Sequence, residues 1–195
     1  TGIPLDEAVM EYVTTELKGV IGAQYAAPQG RILLNPFKDV KASSWFGKYV
    51  IDLYNDGIIN GTSATTYAPN DTLTWAAALK LLLVSHGDLK AADATGADWS
   101  KNAIAKAAEL GLVAADLDGA KAISRLEFCQ VAAKLNKLAE SKTESKFTDC
   151  TDGYVMALVD AKVISGMTET TFEPAASLTR AQIAKILYQL TLIEK

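Results

Sequence analysis

The sequence predicts an all-α protein of three helix-loop-helix repeats with one additional helix at the N-terminus. Three observations predict it: a segment that recurs after 105 residues, apolar stripes at helical spacing, and the composition of an ordinary globular chain. The chain is 49% hydrophobic and 22% charged, with a net charge of -4. No run of about 18 apolar residues is present, so a membrane span is not expected. The weakly acidic balance lacks the basic footprint of a nucleic-acid binder, and that class is set aside.

The repeat carries most of the information. Residues Ile59 to Ala76 align without a gap on Ile164 to Ala181, matching Gly61 with Gly166, Thr65 with Thr170, Pro69 with Pro174, Leu73 with Leu178 and Thr74 with Thr179. Tyr67 meets Phe172. The offset is about two periods of a 50 to 55 residue unit, so a middle copy should lie between, and Gly111 to Glu127 supplies it with a shortened loop. Trp45 and Trp99 each precede a helical run ending in glycine, at Gly57 and Gly111. Copies one and three also share a leader, Phe37 with Asp39 and Phe147 with Asp149.

The expected organisation is an N-terminal helical extension over 1–34 and three copies over 35–88, 89–141 and 142–195. In the extension, Pro4 suits a first helical turn, and Leu5, Val9, Tyr12, Val13 and Leu17 form an apolar face. Gly22 to Gly30, with Pro28, reads as a connector. The second helices carry the stripes Leu79, Leu82, Leu83, then Phe128, Val131, Ala132, Leu135, then Ile183, Ile186, Leu187, Leu190. One copy of about 50 residues buries too little surface to be stable alone, so the three should share a core.

Ser124 with Glu127, and Thr179 with Gln182, have the spacing of a capping box, which accounts for those four residues structurally. Arg125 and Arg180 are not explained by capping, because a cation in a first helical turn opposes the helix dipole at about 0.3 to 1 kcal/mol. Two readings remain: an anion held at the helix start by free amides and the arginine, or a salt bridge to a carboxylate such as Asp39 or Asp149. Trp45, Trp99, Tyr67 and Phe172 are expected as core plugs rather than sugar platforms. Trp75 replaces arginine at the first-copy helix start, and could seal that groove or present a platform.

Catalytic chemistry is not expected. His86, the sole histidine, stands at the end of an apolar run before Gly87, where a helix C-terminal position explains it. No nucleophile elbow or phosphate-binding glycine loop appears. Asp116 to Gly119 resembles a calcium loop, but its first and twelfth ligand positions would be Ala114 and Arg125, so no metal is expected. Cys129 lies in an apolar run and reads as a small buried hydrophobe, and with Cys150 it makes neither a zinc site nor a disulfide framework. No signal-peptide pattern opens the chain, so a secreted form would be a mature or excised one.

Together, Phe-x-Asp, the tryptophan-initiated helix, Gly-Ile-Ile-x-Gly (Gly57 to Gly61), Tyr/Phe-x-Pro and Leu-Thr-Arg-Ala-Gln (Leu178 to Gln182) resemble the surface-layer homology module in three tandem copies over roughly 37–195. The resemblance implies a pseudo-threefold assembly around a central helical bundle, monomeric as a pseudo-trimer. It implies grooves between copies that bind an anionic, often pyruvylated, secondary cell-wall polysaccharide, anchoring a surface protein at the cell wall or S-layer without catalysis or cofactor. The ligand-binding set it suggests is Arg125 and Arg180, with Asp39, Asp149, Gly61, Gly166 and Trp75. The alternative is a structural protein-interaction module of the envelope whose grooves no longer bind. The family signature Thr-Arg-Ala-Glu is altered in each copy: Thr74-Trp75-Ala76-Ala77, Ser124-Arg125-Leu126-Glu127 and Thr179-Arg180-Ala181-Gln182.

Overall fold

The computed structural model describes residues 23–26 and 31–193 and is mostly helical. The expected first helix around Leu5 to Leu17 lies outside the described residues. Where a connector was expected before the first repeat, an antiparallel hairpin stands instead: β1 (Ala23–Ala26) pairs with β2 (Arg31–Leu34), Ala23 opposite Leu34. Tyr25 and Ile32 are of types that favour extended backbone.

Two compact units divide between Asn70 and Asp71, inside the first repeat. In the first unit, α1 (Gly47–Asn55) packs on β2, and Asn55 joins them: its Oδ1 accepts from the Leu34 N–H at 3.0 Å and its Nδ2 donates to the Leu34 carbonyl at 2.9 Å. Phe37 sits edge-on to Tyr54 at 5.1 Å and against Tyr67 at 5.6 Å, and Val50, Leu53 and Ile59 are buried around them. Trp45 departs from expectation. Rather than plugging a core it is 58% exposed, its indole meeting the edge of Phe46. Tyr67 and Phe172 are the buried plugs, at 1% and 0%.

The second unit holds α2 (Trp75–His86), α3 (Trp99–Glu109), α4 (Arg125–Leu135), α5 (Gly153–Asp160) and α6 (Arg180–Thr191). The expected stripes of α2, α4 and α6 are buried, including Leu79, Leu83, Phe128, Ala132, Ile183 and Leu187 at 0%. Both capping boxes form, Ser124 with Glu127 and Thr179 with Gln182. The α2 helix ends at His86, where Gly87 turns left-handed at φ 94° and caps two carbonyls. Cys129 is fully buried, and burial pushes its thiol up to about 12, which keeps it protonated and unreactive.

The helices interlock across copies. Helix α3 of the second copy packs on α2 of the first, and α5 of the third packs on α4 of the second, while α2 also packs on α4 and α6. Within this unit the first helix of one copy therefore covers the second helix of the copy before it.

The helix starts are tied to one another by main-chain bonds. Trp75 N–H donates to the Lys121 carbonyl at 2.9 Å, Arg125 N–H to Ala176 at 2.8 Å, and Arg180 N–H to Asp71 at 2.8 Å. Each acceptor stands three residues before the N-cap of the next copy's helix, so the three bonds form a closed cycle. Bridges between Thr74 and Ala122, Ser124 and Ser177, and Thr179 and Thr72 follow the same cycle. Three short extended segments thus satisfy amides that a helix start leaves open.

Candidate functional site

The two leader aspartates act alike, each inside its own copy. Asp39 Oδ1 accepts from Tyr67 N–H at 2.9 Å and Oδ2 from Ala68 N–H at 2.8 Å. Asp149 does the same with Phe172 and Glu173, both at 2.8 Å. The Phe172 bond, then the Glu173 bond, lowers the Asp149 carboxyl below the usual aspartate range. The residues they hold, Ala68 and Glu173, have left-handed φ of 57° and 61°. Each carboxylate therefore closes the loop between the two helices of its repeat.

Gly61 and Gly166 lie in those same loops, under the leader phenylalanines. A methyl group at Gly61 would come 2.5 Å from Phe37 Cε1, and one at Gly166 would come 2.5 Å from Phe147 Cε1. Loop carbonyls of Ser63 and Thr66, or Thr168 and Thr171, close the remaining space. Close approach of ring and backbone requires glycine at both positions.

Arg125 connects to this loop in the third copy. It is only 7% exposed; its Nη2 donates to the Ser165 carbonyl at 2.6 Å and its guanidinium lies 4.4 Å from the Phe172 ring centroid. Nε is buried without a hydrogen-bond partner. Desolvation lowers the guanidinium pKa, against an opposing pull from the carboxylate of Glu173. Arg125, Phe172, Asp149 and Gly166 thus form one connected structure, while the salt bridge considered for Arg125 with Asp149 is replaced by bonds from each to the loop.

Free amides at these helix starts, one half of the anion reading, are not what the structure provides for α4. Arg125 N–H and Leu126 N–H donate to Ala176 and Pro174 carbonyls at 2.8 and 3.0 Å, and Glu127 N–H donates to Ser124 Oγ. In α6, Arg180 N–H is bonded to Asp71 and Gln182 N–H to Thr179 Oγ1. Carbonyls of neighbouring copies and the N-cap hydroxyls supply the acceptors that an anion would have been.

Cationic side chains are the remaining means of holding an anion, and they gather at one place. Arg180, half-buried at the start of α6, lies close enough to Lys80 of α2 to affect its titration. Lys80 Nζ stands 4.8 Å from the centroid of Trp99, the first residue of α3. Burial first, and then the Arg180 charge, lowers the Lys80 ammonium below the usual lysine range. Half-buried Lys80 thus has both the half-buried Trp99 indole and the Arg180 charge as neighbours, and the seam between α2 and α3 is taken as the candidate cleft. Lys80 escaped the sequence reading, although Lys185 stands at the same repeat position 105 residues later and marks it. Trp75 is half-buried at the start of α2.

The corresponding cleft between α4 and α5 differs. Gln130 occupies the Lys80 position, and its Nε2 donates to Asp152 Oδ2 at 2.7 Å. The other Asp152 oxygen caps α5 through Tyr154 and Val155 N–H groups, both at 3.0 Å. Cys150, buried, follows Asp149 as buried Val40 follows Asp39, and its carbonyl accepts from Ser145 Oγ as that of Val40 accepts from Asn35 Nδ2. No group of three or more metal-ligating side chains and no helix long and apolar enough to cross a membrane occurs among the described residues.

Two segments, 36–78 and 148–184, match the S-layer homology domain family; the middle copy lies outside both. The chain is 30% identical over 179 residues to an endoglucanase of Bacillus sp. (strain KSM-635), covering 80% of this chain and 18% of that protein. It is 39% identical over 84 residues to the surface-layer 125 kDa protein of Lysinibacillus sphaericus, covering 40% of this chain and 7% of that protein. An amylopullulanase of Thermoanaerobacterium thermosulfurigenes is 27% identical over 188 residues, 86% of this chain and 10% of that protein. The chain spans less than a fifth of the length of these relatives.

Proposed function

We propose that this chain is a non-catalytic module that anchors a surface protein to the bacterial cell envelope by binding an anionic wall polysaccharide, with an acidic sugar terminus such as a pyruvyl ketal held in the α2–α3 cleft. The reading is supported by two segments matching the S-layer homology domain and by relatives that include a surface-layer protein. The observation that carries it is the pairing of Lys80 with Arg180 beside Trp99. Burial and the repulsion of the neighbouring Arg180 charge both oppose the charged form of Lys80. A carboxylate between them reverses that repulsion and gains charge-assisted hydrogen bonds, roughly twice as strong as neutral ones. Trp99 offers an apolar surface to the sugar ring that carries the acid.

Arg180 is the arginine of the motif that meets the ligand, and Arg125 braces the third-copy loop. Asp39 and Gly61 shape the first-copy loop, Asp149 and Gly166 shape the third-copy loop, and none of the four is assigned a direct contact with the polymer. The second helices of the three copies start around an approximate threefold axis, a reading supported by the equivalence of the three first-amide bonds.

Sedimentation with purified cell walls, before and after extraction of the secondary polymer, tests the function. Binding that depends on the polymer, and that Arg180→Ala and Lys80→Gln each weaken, is the expected result. Undiminished binding to stripped walls would instead favour a protein-interaction module.

A further inference from the structure

The α2–α3 and α4–α5 clefts occupy the same place in successive copies, yet their chemistry is opposite. The cycle of first-amide bonds fixes the correspondence. Arg180 gives its N–H to the copy containing Lys80, and Trp75 gives its N–H to the copy containing Gln130. Position by position, the α2–α3 cleft has Arg180 and Lys80 where the α4–α5 cleft has Trp75 and Gln130. The first holds two cations. The second holds none at these positions, and its Gln130 amide is bonded to the Asp152 carboxylate at 2.7 Å.

We propose that Gln130 and Asp152 are specificity-determining residues that exclude acidic sugar termini from the α4–α5 cleft and leave it to an uncharged, hydroxyl-rich stretch of the polymer. This rests on the anchoring reading of the α2–α3 cleft. An anion entering beside Asp152 meets a like charge, and that carboxylate cannot turn away because its other oxygen caps α5. Gln130 itself brings no charge; one of its two amide N–H groups is engaged by Asp152, and the ammonium of Lys134, one turn further along α4, is held over the Tyr154 ring at 5.2 Å. A sugar hydroxyl, by contrast, donates to a carboxylate and accepts from an amide, so the same pair suits a neutral pyranose. One chain would then read two features of a polymer in order, an acidic terminus and a neutral interior.

The test uses the whole chain and two probes, the 4,6-pyruvyl ketal of a methyl hexopyranoside and its neutral methyl ester, followed by 1H–15N NMR with the Trp99 indole and Gln130 side-chain amide as reporters. In the wild type, the acidic probe should shift the Trp99 signal and leave Gln130 unchanged. The double variant Gln130→Lys with Asp152→Asn makes the second cleft cationic while keeping a good N-cap residue. It should acquire a second acidic site, read at the Tyr154 and Val155 amides and at least about tenfold tighter than any response of the wild-type cleft, the gain of roughly one charge-assisted bond. The melting temperature of the variant verifies that it is folded, and Asp152→Asn alone, which removes the repelling charge but adds no cation, should respond between the two. Equal response of both wild-type clefts to the acidic probe, or no gain in the folded double variant, overturns the proposal and leaves the anchoring reading intact. Silence of Trp99 and Gln130 together in the wild type overturns the anchoring reading and this inference with it.

Discussion

Asp149 holds Glu173 in a left-handed conformation: the carboxylate Oδ2 accepts from the Glu173 N–H at 2.8 Å, and Glu173 has φ of 61°. The bond compensates locally for a backbone region that costs L-residues roughly 1–2 kcal/mol. Because two N–H groups stabilise the ionised carboxylate, its folded pKa is depressed relative to the unfolded chain. The stabilisation is therefore complete above the unfolded value of about 3.9 and is lost as pH falls through the lower folded value. Asp149→Asn should flatten the fall in urea midpoint between about pH 5 and pH 2 relative to wild type. An unchanged acid slope would show that the loop does not depend on this charge.

The turn after the first helix of each copy requires positive φ, and two copies meet it with Gly57 and Gly111, at 72° and 69°. The third uses Lys162, at 59°. Lys162→Gly should raise stability by up to about 1 kcal/mol, the relief of strain being partly cancelled by the greater freedom of glycine in the unfolded chain. Gly111→Ala should lower it by about 1 kcal/mol. Thermal melts of the pair decide the sign.

Arg125 and Arg180 share one sequence motif and should fail differently. Arg125→Ala removes the bond to Ser165 and the contact with Phe172, and should cost about 1–3 kcal/mol of stability while sparing affinity at the α2–α3 cleft. Arg180→Ala should leave stability within about 1 kcal/mol and weaken polymer binding about tenfold or more. Chemical denaturation and calorimetry on both variants separate the outcomes; a reversed pattern would exchange the two roles.

Lys80 supplies a pH dependence. Its ammonium is held below the ordinary lysine value of about 10.4 by burial and by Arg180, so folding disfavours the charged form and the free protein gains stability as pH rises through the lowered value. A bound anion favours the charged form, so binding takes up protons in that alkaline range and affinity falls as pH rises. Lys80→Arg should abolish the fall. Affinity measured from neutral to alkaline pH on the wild type and this variant checks it.

The sequence made the second helices legible because caps and stripes are local: Ser124, Glu127, Thr179 and Gln182 do what their spacing predicts, and Leu79, Phe128 and Ile183 are buried. Pairing was less legible, because an apolar face announces that it needs cover and not which helix supplies it; α3 covers α2 and α5 covers α4. Sites were harder still. Arg125 and Arg180 occupy one motif position, and only the loop bearing Ser165 and Phe172 takes Arg125 out of solvent. Trp45 and Trp99 share a repeat position too, but Trp45 is 58% exposed while Trp99 lies under Lys80.

The cycle linking Trp75 to Lys121, Arg125 to Ala176 and Arg180 to Asp71 also limits how such a protein can change in size. An open solenoid grows by stacking one more repeat on an exposed end. A closed cycle has no end to receive it: a fourth copy would find every acceptor occupied, and removal of one copy would strand a donor on one helix and an acceptor on another. A chain built on this plan can then grow only by adding whole triplets, or vary by altering individual positions within one, as the difference between Lys80 and Gln130 illustrates.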